Sequence, residues 1–435
     1  MNTGKCWQNR GKTHVPENAF SESSVPVGGM AAVDVGAPPP EKQDRVGPWD
    51  VVITCGGTGG HVLPALAVVD EIVALGIPRE RIGFVGGRTG VEVTAVPAAG
   101  LDFVGFPVQG LERSLRPPAL ARNLRTVAGM GRAVWKARRL LRASGARVVV
   151  GMGGYASLAC VFAAGRKRRV LTYESNSVPG IATKITGRRA VFIGTAFEAT
   201  REYLPKAERI GFAVRPVFAD LVDADGRPSQ RRQELAAEAR AAYGIEEGRQ
   251  VLAVMGGSQG ARSLNKAVLD LLIGWSRRDD LACVHLVGRR DYDEIARQTA
   301  GLFQGSSVQY VAIDFEEKAE RVFALADVMV CRSGASTCAE LAATGLPAVC
   351  VPYPYATDDH QRLNAEELVQ AGAVELLLDA EVSGTALAAV LTPLLENTQM
   401  RETMARAASR LGEAQGARRL AEEIVAEIGR VGSST

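Results

Sequence analysis

Only four histidines occur in the 435 residues, and the seven cysteines stand far apart, at positions 6, 55, 160, 283, 331, 338 and 350. There is no C-x-x-C pair and no ligand-like histidine spacing, which argues against a redox dithiol and a zinc module. Most of these thiols lie in apolar runs, so they read as reduced core residues, and the cytoplasm is the expected compartment. Neither sign of charge is in excess. The 51 Lys and Arg against 48 Asp and Glu leave a net +3, which removes the general electrostatic case for nucleic acid as a partner. The first residues lack the basic start, apolar run and small-residue cleavage site of a secretory signal, so none is expected. A long apolar run is also missing. Residues 148–165 come nearest, without a charge, but Gly151, Gly153 and Gly154 interrupt them. A strand, a glycine turn and a short helix explain that window better than a membrane span.

With 46% hydrophobic residues the chain can fill two cores of ordinary size. Residues 1–47 mix Gly, Pro, Ser, Asn and charge around Pro38-Pro39-Pro40 and show no periodicity, the composition of a disordered tail. One unit then occurs four times. Asp50-Val51-Val52-Ile53-Thr54-Cys55 runs into Gly56-Gly57-Thr58-Gly59-Gly60 and a helical pattern over 64–75. Arg147-Val148-Val149-Val150 runs into Gly151-Met152-Gly153-Gly154-Tyr155, and Val251-Leu252-Ala253-Val254-Met255 into Gly256-Gly257-Ser258-Gln259-Gly260. Val328-Met329-Val330-Cys331 leads to Arg332-Ser333-Gly334-Ala335-Ser336-Thr337 and a helix over 338–343. Strands alternating with helices imply an α/β fold with parallel sheets covered on both faces, and glycines at the carboxyl ends of such strands mark where ligands dock. The expected organisation is a tail (1–47), two doubly wound, Rossmann-like domains facing a cleft (48–212 and 213–410), and a C-terminal helix (411–435) packing back toward the first domain. The hinge is placed at 211–216, and one or two closing helices are expected over 400–428.

The glycine loops carry the chemistry. Glycine lets the backbone approach a ligand, and the amides that open the next helix suit an anion such as phosphate. A Walker loop fails at Gly56–His61 because no Lys follows, and a dinucleotide fingerprint fails because Val62 stands where a third glycine belongs. His61 opens a helix whose dipole disfavours the imidazolium form. A neutral imidazole at the mouth of a cleft is a competent general base for a sugar hydroxyl; a histidine that only caps a turn is the plain alternative. Gly256–Gly260, with the Ser258 hydroxyl, reads as a second phosphate loop or as a tight connection. Glu340 suits a ribose diol or merely favours a helix dipole, and Gln361 and Asn364 offer paired donors and acceptors to sugar hydroxyls. Residues 113–147 hold ten Lys or Arg, from Arg113 and Arg116 to Arg142 and Arg147, interleaved with apolar residues. That pattern fits an anionic membrane surface, a phosphate-bearing acceptor or a solvated helix face.

At these residues the chain resembles the MurG family, bacterial transferases that move N-acetylglucosamine from UDP-N-acetylglucosamine onto a lipid-linked muramyl-pentapeptide. The resemblance rests on Gly56–His61, Gly153-Gly154-Tyr155, Glu174 with Asn176, Arg215, Gly256–Gly260, Arg332–Glu340 and Asp358–Asn364, in order over roughly residues 50–425. It implies the two-domain GT-B fold, inversion at the anomeric carbon, no required metal or other cofactor, and a peripheral place on the cytoplasmic face of the inner membrane. It also implies roles. Gly56, Gly57, Gly153, Gly154 and Tyr155 would serve the acceptor's diphosphate. Thr58, Gly59, Gly60, Asn176, Arg215, Ser258, Ala335, Ser336, Thr337, Glu340 and Gln361 would serve the donor, with Phe315 and Glu316 lining the uracil. The chain departs from the family's usual pattern at two places. Tyr173-Glu174-Ser175-Asn176 replaces His-Glu-Gln-Asn, and Gly211-Phe212-Ala213-Val214-Arg215 replaces Gly-Asn-Pro-Val-Arg. Rival readings are a UDP-hexose diacylglycerol glycosyltransferase, a UDP-sugar epimerase on the same fold, and a non-catalytic nucleotide-sugar-binding protein.

Overall fold

The computed structural model describes residues 46–107, 117–223, 225–257, 259–411 and 415–432, the side chains of 117–128 and 432 excepted. Cys6, Arg113, Arg116, Ser258, residues 1–45 of the expected tail, and the side chains of Arg122 and Arg125 therefore lie outside the described residues.

The first sheet is built from β1 (Val51–Thr54), β2 (Ile82–Gly87), β3 (Asp102–Phe106), β4 (Val148–Gly151), β5 (Arg169–Glu174), β6 (Phe192–Thr195) and β7 (Glu208–Arg209). The intervening helices are α1 (Gly59–Ala74), α2 (Glu92–Ala98), α3 (Pro117–Ser144), α4 (Tyr155–Ala163) and α5 (Ile181–Gly187). Short α6 (Pro216–Ala219) and then α7 (Gln230–Ala242) lead to the second sheet. That sheet holds β8 (Gln250–Met255), β9 (Leu281–Leu286), β10 (Gln309–Ile313), β11 (Val328–Cys331), β12 (Ala348–Cys350) and β13 (Val374–Leu376). Its helices are α8 (Arg262–Gly274), α9 (Tyr292–Thr299), α10 (Ala319–Leu325), α11 (Ala335–Thr344) and α12 (His360–Gln370), followed by α13 (Gly384–Glu396), α14 (Thr398–Leu411) and α15 (Gly416–Gly432).

Every pairing between named strands is parallel, and the strand orders are β3-β2-β1-β4-β5-β6-β7 and β10-β9-β8-β11-β12-β13. Strands covered on both faces cannot alternate apolar with polar, which is why β1 reads Val-Val-Ile-Thr and β11 Val-Met-Val-Cys, each wholly buried. The chain changes winding direction between β1 and β4 and again between β8 and β11. Ligands dock at such switch points on doubly wound sheets. The register sets Thr54 beside Gly151 and Met255 beside Cys331, so the loops after these strands emerge as neighbours. These are the four strand-and-loop units singled out in the sequence.

The uncharged window 148–165 is β4, a glycine turn and α4, and among the described residues no helix is long and apolar enough to cross a membrane. The six described cysteines are free and buried. Arg147 is not part of a basic face. It pairs with Asp50 at 2.6 Å beside Arg81 at 2.7 Å, and these two guanidiniums hold the Asp50 carboxyl below its ordinary pKa despite burial. Two helices begin earlier than their patterns suggest. α1 starts at Gly59 rather than at 64, with Pro64 inside it, and α11 starts at Ala335 rather than at 338. Both begin in small residues that carry no amphipathic signal. The tail of the chain forms two helices, and α15 packs on α1 with Arg418 paired to Glu71 at 3.4 Å, while its Glu427 pairs with Arg169 at the start of β5 at 2.6 Å.

Candidate active site

A cavity of about 620 Å³ opens between the loops after β1, β2, β4 and β5 and the segment 357–360 that enters α12. Gly56, Gly57, Thr58, Gly60, His61, Gly154, Tyr155 and Asn176, all predicted site residues, line it together with Glu92, Asp358 and His360. His61 is half-buried in the first turn of α1, with Nδ1 3.3 Å from the Gly56 carbonyl and 3.4 Å from Thr58 Oγ1. A carbonyl oxygen can only accept, so Nδ1 carries the hydrogen in this contact, and in the neutral ring Nε2 is then the acceptor.

Two glycines make this placement possible. At Gly153, φ +95°, a β-carbon would stand 2.6 Å from His61 Cδ2 and 2.7 Å from Nε2. At Gly154, φ +78°, it would stand 2.4 Å from the Gly56 carbonyl oxygen. Left-handed backbone and the absent side chain are both required there. Gly153 thus packs against the Cδ2–Nε2 side of the imidazole. The Gly57 amide, expected to meet a phosphate, donates instead to the carboxylate of Glu92, at 3.1 Å to Oε1 and 3.3 Å to Oε2. Glu92 is fully buried and also accepts from the Gly87 amide at 3.0 Å. Its local sequence reads only as an acid in a first helical turn, so its reach across to residue 57 carries no sequence signal.

The two sheets meet beside the cavity through polar side chains. Asn364, expected to face sugar hydroxyls, is fully buried and committed. Its Oδ1 accepts from Ser177 N and Oγ at 2.9 and 3.0 Å, and its Nδ2 donates to Asn176 Oδ1 at 3.2 Å. Asn176 itself donates through N and Nδ2 to Glu174 Oε1 at 3.0 and 3.1 Å. Ser336 reaches the Gly59 carbonyl at 3.5 Å. Asp358 and Asp359 adopt left-handed backbone at φ 52° and 55°, and strain in non-glycine residues at a cavity rim is a mark of functional segments.

The remaining predicted residues that the structure describes lie off this cavity. Arg215, Ser336 and Glu340 gather with Leu63 and Pro64 in a narrow crevice between α1 and α11. Burial pushes the Glu340 carboxyl up to about 8, Glu320 adds to the rise, and Arg215 opposes it. Arg215 pairs with Glu320 at 3.3 Å and lies over the Phe218 ring, while its buried Nε has no hydrogen-bond partner among the described residues. The Gln361 side chain accepts from Tyr353 N at 2.9 Å, and Arg332 ties Asp379, Val351 O and Pro352 O together under the β11 loop. Phe315 and Glu316 follow the edge strand β10. Arg289 stacks on the Phe315 ring, and Glu316 accepts from Tyr243 Oη at 2.6 Å. Among the described residues no group of three or more His, Cys, Asp or Glu is arranged to hold a metal ion.

Two parallel doubly wound sheets, with a histidine-bearing cavity between the glycine loops of the first and the segment that enters α12, match the GT-B class of glycosyltransferases. The glycosyltransferase family 28 N-terminal domain matches residues 51–194 and the family 28 C-terminal domain matches 251–424. The chain belongs to this family and, within it, to the MurG family. It is 37% identical to the UDP-N-acetylglucosamine–N-acetylmuramyl-(pentapeptide) pyrophosphoryl-undecaprenol N-acetylglucosamine transferase of Desulforudis audaxviator, over 83% of this chain and 94% of that protein. The transferase of the same name from Acidothermus cellulolyticus is 37% identical over 86% of this chain and 96% of its own. The crystal structure of Acinetobacter baumannii MurG shares the fold, with a TM-score of 0.63 at 23% identity, over 86% of this chain and 99% of that one.

Proposed function

We propose that the chain transfers N-acetylglucosamine from UDP-N-acetylglucosamine to the C4 hydroxyl of undecaprenyl-pyrophosphoryl-N-acetylmuramoyl-pentapeptide, with inversion at the anomeric carbon. Nε2 of His61 takes the hydroxyl proton, the freed oxygen attacks C1 of the sugar, and the C1–oxygen bond to UDP breaks. The charge that accumulates on the departing diphosphate meets the amino-terminal ends of α8 and α11, whose dipoles favour an anion; no resident metal or other cofactor is required in this scheme. The observation that carries the reading is the half-buried imidazole on the cavity wall, with Nδ1 held by a carbonyl and Nε2 left to accept a proton.

His61→Ala tests it. Turnover should fall by about 100- to 10,000-fold, the loss expected of a missing general base, while UDP still binds. Near-normal turnover would remove His61 from the mechanism. Turnover of a UDP-hexose with diacylglycerol, or release of an altered hexosamine without any acceptor, would replace this substrate assignment.

The proposed position is peripheral, at the cytoplasmic face of the membrane. α3 supports it. Arg132, Lys136, Arg138, Arg139 and Arg142 are exposed around Trp135, itself 57% exposed with Arg139 stacked on its ring at 4.9 Å. Cations beside an amphipathic aromatic ring suit an anionic lipid surface.

A further inference from the structure

One peptide unit joins Glu92 to His61. The Gly57 amide donates to the Glu92 carboxylate at 3.1 Å, and the carbonyl at the other end of that same peptide, Gly56 O, stands 3.3 Å from His61 Nδ1. The carboxylate is enclosed by glycines. Added β-carbons at Gly56, Gly87 and Gly90 would stand 3.2, 3.0 and 2.4 Å from its oxygens, and one at Gly86 would stand 2.8 Å from Glu92 Cγ. A buried carboxylate held by main-chain amides is costly to place, so its position needs a reason beyond filling space.

We propose that Glu92 is a positioning residue acting on His61 through the Gly56–Gly57 peptide. The contact fixes the peptide plane, and with it the carbonyl that orients the ring and selects the Nδ1–H form. Hydrogen bonds in series polarise one another. A negative charge at the amide end therefore makes Gly56 O a stronger acceptor, and this supports the positive charge the imidazole gains when Nε2 takes a proton. The inference rests on the reading of His61 as the base.

Two measurements test it. Glu92→Gln keeps an acceptor oxygen where Oε1 receives both the Gly57 and Gly87 amides, but removes the charge. The expected result is a kcat roughly 10- to 100-fold lower, the range found when a group that supports a functional imidazole without touching the substrate is changed, with the donor KM and melting temperature nearly unchanged. An unchanged kcat overturns the proposal, as does a loss seen in KM alone. If the variant does not fold, the wild-type protein decides. With only four histidines in the chain, 15N-histidine labelling resolves the ring of His61, assigned by its loss in His61→Ala. Neutral His61 should carry its hydrogen on Nδ1, and an Nε2–H form would overturn the proposal. The tautomer is read without substrate, so it stands apart from the failure of the base assignment, which normal turnover by His61→Ala would reveal.

Discussion

Replacing Gly153 with alanine sets a distance against a rate. The new methyl would lie 2.6 Å from His61 Cδ2, and ordinary contact begins at 3.4 Å, so ring and loop must separate by about 0.8 Å. Alanine must also hold φ near +95°, a strain of about 1–3 kcal/mol. A misplacement of about 1 Å in a reacting group costs on the order of 100-fold in rate, equivalent to about 2.7 kcal/mol of barrier. Steady-state turnover of Gly153→Ala should therefore show kcat down by about that factor, with UDP affinity by calorimetry unchanged, because the proposed scheme holds the diphosphate at the ends of α8 and α11 rather than at the imidazole. Gly154→Ala is the internal contrast. Its methyl meets the Gly56 carbonyl oxygen at 2.4 Å and the Gly56 amide nitrogen at 2.9 Å, and main chain cannot swing aside as a ring can. That variant should lose melting temperature first. A Gly153→Ala enzyme with wild-type kcat would refute the placement of the imidazole.

Two further outcomes follow from burial and from charge. The Glu340 carboxyl, pushed up to about 8 from 4.5 chiefly by burial, keeps its proton in the folded chain after the unfolded chain has released it. Both states hold the proton below the ordinary carboxyl range, so stability falls as pH rises from about 4.5 to about 8 and levels off above. Glu340→Gln should remove that decline, raising the melting temperature at pH 8.5 but not at pH 4; parallel curves for the two proteins would refute it. For α3, replacing Arg132, Lys136 and Arg139 with glutamine should abolish sedimentation with vesicles rich in anionic lipid while leaving turnover of a soluble acceptor analogue intact. Equal sedimentation before and after the change would count against this face.

The architecture was legible wherever close approach dictates glycine. Gly153 and Gly154 are demanded by the His61 ring and the Gly56 backbone, and Gly260 by the Val287 carbonyl, 2.3 Å from where its β-carbon would be. Such constraints leave a mark in the sequence because no other residue fits. The strand orders were not legible, since buried parallel strands share one apolar pattern and do not name their neighbours. The roles of Glu92 and Asn364 stayed hidden for a related reason. Each looks like an ordinary helix residue in its own segment, and what sets it apart is a partner 35 or 187 residues away. Asn364, chosen as a sugar ligand for its paired donor and acceptor, spends both on joining the two sheets.

One residue from each departure from the family pattern meets the other in space. Tyr173, 1% exposed, donates its hydroxyl to the Gly211 carbonyl and accepts the Ala213 amide, each at 2.9 Å. Burial pushes the phenol pKa upward, so the hydroxyl remains a donor throughout the working range. Proline, the family's usual residue at the position of Ala213, has no amide hydrogen to offer. Tyrosine at 173 and a non-proline at 213 are therefore chemically complementary, and together they fasten the segment between the sheets to the end of β5. Tyr173→Phe should cost about 1–3 kcal/mol, the penalty for leaving a buried amide and carbonyl unpaired. Once Ala213→Pro has removed that amide, the same tyrosine change should cost about 1 kcal/mol less, and denaturant unfolding of the single and double variants measures the difference. Strict additivity would mean that the two substitutions share a location but no interaction, and the hydrogen-bonded hinge would have to be abandoned as their explanation.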